Sequence, residues 1–332
     1  MPEKPELFCL VPGLLKVFKQ LDNQQALKFD SINYFFSKAD SELCSSDYPH
    51  VLSELAGLGI DLENDMPSAA IKARHLNQNV QKNYWLEAHP VTLLPDRDKL
   101  ILKPADVDLN QTASSAVVKE IAAKLAEHFQ AEISQVIISP EGGWLCQLKS
   151  PGSIQTTYWQ DVVGQHIEGF LPTGNDQRLW RSIMNEMQMF LHMHNADQYG
   201  FNALWFNGAG ILPDWPGKTG TNSCAFYSDD FLIKSIADYL GSPLHKSVDA
   251  MLENPQSTKK LIFADESLLP GFMTKSAENF LNRLQTLDQL LSLAIKRLKS
   301  RSLQKVTLHD FSGTCYSLDF RGTLSFWRKR KI

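Results

Sequence analysis

The sequence predicts a mixed α/β protein with an α+β unit built into its middle. Two stretches and the composition point to this. The run from Asp176 to Pro213 joins a strongly amphipathic helix directly to a short, nearly all-apolar strand. Between Tyr84 and Leu148 the order is strands, helix, strands, the pattern of a helix laid on one sheet face. A hydrophobic fraction of 43%, with 18 Phe and 7 Trp in 332 residues, supplies enough apolar surface for two cores and argues against disorder.

Taken in order, Leu7 to Val11 reads as a first strand broken by Pro12-Gly13. Short helical patterns follow around Tyr34 to Phe36, Val51 to Leu58 and Ala69 to Leu76. These make residues 1–84 a mostly helical lobe, either separate or completing the main core. Trp85, Val91 to Leu94 and Lys99 to Leu102 alternate with the turn residues Pro95 to Asp98, as in a hairpin. A helix is expected from Ala113 to Phe129, with apolar residues four apart, and a second hairpin across Glu141-Gly142-Gly143. Residues 85–175 therefore form the α+β unit, and residues 176–332 an α/β portion.

In the helix after Asp176, with Asn175 as its expected N-cap, Trp180, Ile183, Met184, Met187, Phe190, Leu191 and His194 share one face, as in a core-facing helix. Asn185, Gln188, His192 and Asn195 step by three and four residues along its border, a polar ledge suited to ligand contacts. His192 and His194 sit about 200° apart around a helix and cannot share an ion, so a hydrogen-bonded His194 and a border His192 are the simpler account. The methionines read as core fillers. Phe201 to Phe206 reads as a strand covered on both faces, ending in Gly208-Ala209-Gly210. That sequence lets a backbone approach a phosphate or makes a tight turn, and the rest of a dinucleotide fingerprint is missing.

Further on, Asp229 to Leu240 reads as a helix capped by Ser228 and stopped by Gly241. Leu261 to Ala264 is a short strand, and Phe280, Leu284, Leu287, Leu291, Ala294 and Leu298 mark a long helix with a basic end. Two last strands are expected at Cys315 to Phe320 and Thr323 to Trp327.

A net charge of -4, with basic residues massed only at Arg328 to Lys331, gives no footprint for nucleic acid. The five cysteines are scattered without Cys-x-x-Cys spacing, which suits free thiols in a reducing compartment better than disulfides or a zinc cluster. No signal-peptide pattern opens the sequence and no window approaches a membrane helix, so a cytoplasmic location without membrane partners is expected.

Several motifs together resemble a known family. His89-Pro90-Val91, Thr156-Thr157, Leu171-Pro172-x-Gly174, Asn185-Glu186, His194-Asn195, Asn202-Ala203-Leu204-Trp205-x-x-Gly208-Ala209-Gly210 and Leu232 to Ile236 look like the middle of archaeal-type, cofactor-independent phosphoglycerate mutases. They look closer still to a bacterial family related to those enzymes and sometimes labelled regulatory. The resemblance covers about residues 85 to 245. It implies an alkaline-phosphatase-like core with an inserted substrate-like domain. In active members it also implies two divalent metals, manganese or zinc, and a serine that is transiently phosphorylated.

The chain departs from that pattern where the chemistry should be. Val11-Pro12-Gly13 replaces the opening Asp-Gly metal motif. Asp265 has no histidine following it, Asp310-Phe311 with His309 is the best match to the last metal pair, and no serine stands in a nucleophile context near the N-terminus. The expected reading is a degenerate core. Such a relative would be non-catalytic and without a metal cofactor. It would bind a small phosphorylated ligand or a protein partner through Asn185, Gln188, His192, Asn195, Asn202, Gly208 and Gly210. The alternative is an active metal-dependent mutase or phosphatase using manganese or zinc, with Asp265, His309 and Asp310 as its surviving ligands. A structural interaction module built on aromatic surface is a third expectation, with buried tryptophans as its simpler account.

Overall fold

The computed structural model describes residues 4–19, 21, 28–60, 65–105, 115–194, 199–212, 224–253, 258–265 and 277–325. The chain divides into two compact units, one formed by residues 1–56 with 216–332 and the other by residues 57–215.

The first unit is organised around β1 (Glu6–Leu10), in which Leu7, Cys9 and Leu10 are buried and Phe8 half-buried, as suits a central parallel strand. It lies between β9 (Lys260–Ala264) and β10 (Lys305–His309), parallel to both, with Leu7 opposite Leu261 and Val306. β8 (Cys224–Tyr227) extends the sheet parallel to β9, while β11 (Thr314–Asp319) and β2 (Asp40–Leu43) extend the other side antiparallel. The order is β2-β11-β10-β1-β9-β8.

Leu7 and Cys9 of β1, Leu261 and Phe263 of β9, and Val306 and Leu308 of β10 share one core with four helices. These are α1 (Leu14–Phe18), α2 (Asp30–Lys38), a short helix at Val248–Glu253 and a long one, Ala277–Lys299. That last helix buries Leu284, Leu287, Leu291, Ala294 and Leu298, as its spacing predicts. Tyr48–Ala56 forms α3.

In the second unit, β3 (Tyr84–Asp96) is one long strand where the sequence suggested two short ones. β4 (Lys99–Pro104) returns antiparallel through the expected turn, in which Arg97 adopts φ 56°. β6 (Trp144–Leu148) pairs with the first half of β3 and with β5 (Ile133–Ile138). β7 (Ala203–Ile211) pairs along the other edge of β3. Two helices share the core on one sheet face, α5 (Ala116–His128) through Val118, Ile121 and Leu125, and α7 (Gln177–Met193) through Trp180, Ile183, Met187, Phe190 and Leu191. The opposite face is covered by α4 (Ser68–His75), whose Ala69, Ala70 and Ala73 pack against Trp85 and Leu145. A short helix, α6 (Trp159–Val162), follows β6.

The boundaries differ from those expected at 84/85 and 175/176. β1 and α1 to α3 belong with the C-terminal strands because β1 takes both its partners from there. α4 belongs with β3, the strand it covers. α7 and β7 fall in the second unit because α7 shares a core with α5 and β7 pairs with β3.

Local expectations shift as well. The N-cap of α7 is Asp176, not Asn175, and the Asp176 carboxylate also accepts from Ser153 N at 2.7 Å. Residues Phe231–Leu240 form α8, capped by Asp230, which accepts from Ile233 N at 3.0 Å. Ser228 instead donates to Ala264 O at 2.7 Å. Val248–Glu253 forms α9, and the long helix Ala277–Lys299 is α10. After β11 the chain turns into a short helix, α11 (Phe320–Thr323), capped by Asp319, where a last strand was expected from Thr323 to Trp327. The part of that strand beyond residue 325 lies outside the described residues. Among the described residues no helix is long and apolar enough to cross a membrane.

Candidate functional site

In an open α/β sheet, ligands gather at the carboxyl ends of the parallel strands. In the first unit these ends are stitched together by backbone. Val11 N donates to His309 O at 2.9 Å, Gly13 N to Asp310 O at 3.0 Å and Asp265 N to Leu10 O at 3.0 Å. β1 ends in Val11-Pro12-Gly13, where Gly13 takes φ 77° and no side chain ionises.

The acids on the flanking strands are buried and engaged. Asp265 lies 4.0 Å from the Arg283 guanidinium, which binds Asp229 at 2.9 Å. Asp310 accepts from Ser312 N at 3.2 Å and from Ser312 Oγ at 2.7 Å.

His309 turns toward a different set of neighbours. Its position opposite Cys315 in the β10–β11 pairing, with Cys44 just past β2, groups one ring nitrogen and two Sγ atoms within 4.8 Å of one another. Burial pushes the His309 imidazole below its usual range, with Glu42 and Asp310 working the other way. Burial also raises both thiols, Cys315 to about 12. The spacing of Cys44, His309 and Cys315 in sequence hides this group, because antiparallel pairing rather than a local motif assembles it.

The second unit carries a buried polar cluster under α4. Glu87 and His89 of β3 point to the same face as Trp85, the period-two alternation of a strand. Lys72 of α4 reaches Glu87 at 3.0 Å and Glu141 at 3.5 Å. His89 stands 3.5 Å from Glu87 and stacks on Trp159, with centroids 4.2 Å apart and planes 7° from parallel. Burial works to raise the Glu87 carboxyl, but the Lys72 ammonium and then His89 more than offset it and hold it at about 2. Gly143 is required beside this carboxylate, since a β-carbon there would collide with Glu87 Oε1. Asn207, opposite Glu87 on β7, donates to Glu87 O at 3.4 Å. Its Oδ1 and Ser68 Oγ are buried without a hydrogen-bond partner among the described residues. The one sequence signal for this cluster is a lysine, Lys72, set among Ala69, Ala70 and Ala73 in a short helix.

The residues expected to bind ligand are placed as follows. On α7, Asn185 and His192 are exposed and Gln188 is half-buried, so the ledge lies along the helix border. Asn195 lies outside the described residues. Asn202 accepts from Leu93 N at 2.7 Å and donates to Leu93 O at 3.1 Å, tying the chain before β7 to β3. Gly208 and Gly210 lie inside β7 rather than in a loop after it. Three steps on β7 face two on β3 between Trp85 and Glu87, a bulge in which Gly208 takes φ 63°. A β-carbon at Gly208 would strike Ser68 Oγ, and one at Gly210 would lie 2.8 Å from Pro67, so both glycines let α4 approach the sheet. His194 bonds Phe190 O through Nδ1 at 2.9 Å. Met187 is buried as a core filler, whereas Met189 and Met193 are exposed.

Among the described residues, Cys44, His309 and Cys315 are the one group of three or more ligating side chains close enough to hold a metal ion. Asp265 and Asp310 do not join it, so these residues do not fit the two-metal site that the resemblance implies.

No protein-family profile matches the chain, and no curated protein matches it. Among solved structures it is similar to the PH0037 protein of Pyrococcus horikoshii, with a TM-score of 0.50 and 11% identity over 96% of this chain and 87% of that one. It is also similar to a cofactor-independent phosphoglycerate mutase from Thermoplasma acidophilum DSM 1728, with a TM-score of 0.42 and 13% identity over 95% and 88%. At 11% identity the first likeness is one of fold, a mixed α/β architecture.

Proposed function

We propose that the protein is a non-catalytic relative of cofactor-independent phosphoglycerate mutases that binds a small phosphorylated ligand in a regulatory role. The observation that carries this reading is the end of β1. The central parallel strand runs into Val11-Pro12-Gly13, and Asp265 and Asp310, which follow the two flanking strands, are directed to Arg283 and Ser312. Phosphoryl transfer of this type relies on cations at the reacting oxygens, held by carboxylates and imidazoles that converge. The sequence motifs shared with the mutases lie mainly in the second unit, where Asn185, Gln188 and His192 offer amide and imidazole groups on one helix border. Such groups hydrogen-bond phosphate oxygens without needing a metal.

The test combines turnover with binding. Purified protein with added manganese is assayed for phosphoglycerate mutase and phosphatase activity, and its melting temperature is followed against 2- and 3-phosphoglycerate. The expected result is no turnover above buffer, and a thermal shift with either phosphoglycerate that Asn185→Ala and Gln188→Ala each reduce. Manganese-dependent turnover abolished by Asp310→Ala would establish the enzyme alternative instead. A shift untouched by both substitutions would remove the ledge from the ligand site.

A further inference from the structure

We propose that Cys44, His309 and Cys315 form a binding site for one zinc ion, tying together the ends of β2, β10 and β11. Two sulfurs and an imidazole nitrogen within 4.8 Å of one another match the donor types that zinc takes in tetrahedral protein sites. The backbone presets the arrangement. His309 and Cys315 are direct cross-strand partners, and Cys44 N donates to Gly313 O at 3.2 Å, which fixes the third donor beside them.

His309 supplies a second, independent sign. The residue is 9% exposed, and its Nδ1 is buried with no hydrogen-bond partner among the described residues. A buried ring nitrogen left without a partner is costly, and a metal ion or an ordered water is the usual remedy. Glu42 Oε1 lies 3.6 Å from Cys315 Sγ, within reach to supply a fourth ligand, with water as its substitute.

The donor set differs from the carboxylate-and-histidine sites of metal-dependent phosphomutases, and the role inferred is structural. β2 is an edge strand with every residue exposed, and it joins the sheet through its pairing with β11. An ion bonded to Cys44 at its end would clamp that strand to β10 across β11.

The experiment measures metal directly. Full-length protein purified without chelator and dialysed against zinc should retain one zinc per chain by elemental analysis. Cys44→Ser and Cys315→Ser should each reduce this to near zero, while Cys224→Ser leaves it unchanged. Because a serine variant could lose metal by misfolding, circular dichroism accompanies each one. Wild-type apoprotein should also take up one cobalt ion with a thiolate-to-cobalt charge-transfer band, and zinc should protect Cys44 from a thiol reagent. The inference is overturned if wild-type protein binds neither metal, or if zinc persists in the Cys44→Ser/Cys315→Ser double variant. Peptide mapping that finds a Cys44–Cys315 disulfide in place of bound metal would also overturn it.

Discussion

Replacing Lys72 with methionine isolates the energetics of the cluster under α4. The substitution keeps the length of the side chain and removes the ammonium that lies 3.0 Å from a Glu87 carboxylate only 1% exposed. The Glu87 carboxyl stands at about 2 in the folded protein against an ordinary 4.5. That difference of about 2.5 pH units, at about 1.4 kcal/mol each, corresponds to about 3–4 kcal/mol. Stranding the charge by removing its partner costs a similar amount, about 3–5 kcal/mol.

The sign follows from the direction of the shift. A carboxyl held below its unfolded value contributes stability above pH 4.5 and loses it as pH falls from 4.5 toward 2. The deficit of Lys72→Met should therefore be largest at neutral pH and shrink on acidification. Urea unfolding followed by tryptophan fluorescence measures it, with Trp85 and Trp144, both fully buried in this unit, as reporters. The double variant Lys72→Met/Glu87→Leu should recover most of the loss, because an apolar pair of similar volume needs no compensation. A loss below about 1 kcal/mol for Lys72→Met, or a deficit that does not shrink as pH falls from about 5 toward 2, would refute a buried ion pair.

Other substitutions probe the same framework. Asn202→Ala removes both hydrogen bonds to Leu93 and should cost about 1–2 kcal/mol in a thermal or urea melt. Gly208→Ala meets a left-handed backbone and Ser68 Oγ together, and should destabilise by about 1–3 kcal/mol. The double variant with Ser68→Gly should recover only the steric part of that loss. Asp230→Ala should cost about 1 kcal/mol through loss of the α8 cap, whereas Asp230→Ser should retain most of it.

Periodicity made much of the second unit legible. The apolar face of α7 and the hairpins at 95–98 and 139–143 follow from local pattern and turn chemistry. The bulge at Gly208 did not, because a glycine in a strand and a glycine ending one look alike until the partner strand is known. β10 and β8 are not legible in the sequence for a related reason. Lys305 to His309 is only five residues long with a central threonine, and its identity as a strand comes from pairing with β1 far away in the chain. The polar border of α7 that carries Asn185, Gln188 and His192 was readable because one helix carries it. The Lys72–Glu87–His89 cluster and the Cys44–His309–Cys315 group were not, since each is assembled across separate elements.

The pairing of Leu7 with both Leu261 and Val306 also bears on how the protein is made. A ribosome releases β1 long before either neighbour exists, so the central strand of the first sheet must wait with its edges uncovered until residues 260–264 and 305–309 have been made. Residues 57–215 emerge as one uninterrupted run and can collapse meanwhile. Nascent chains halted near residue 250 should therefore protect the second sheet from protease while leaving the N-terminal segment cleavable, an exposure that makes early chaperone capture advantageous.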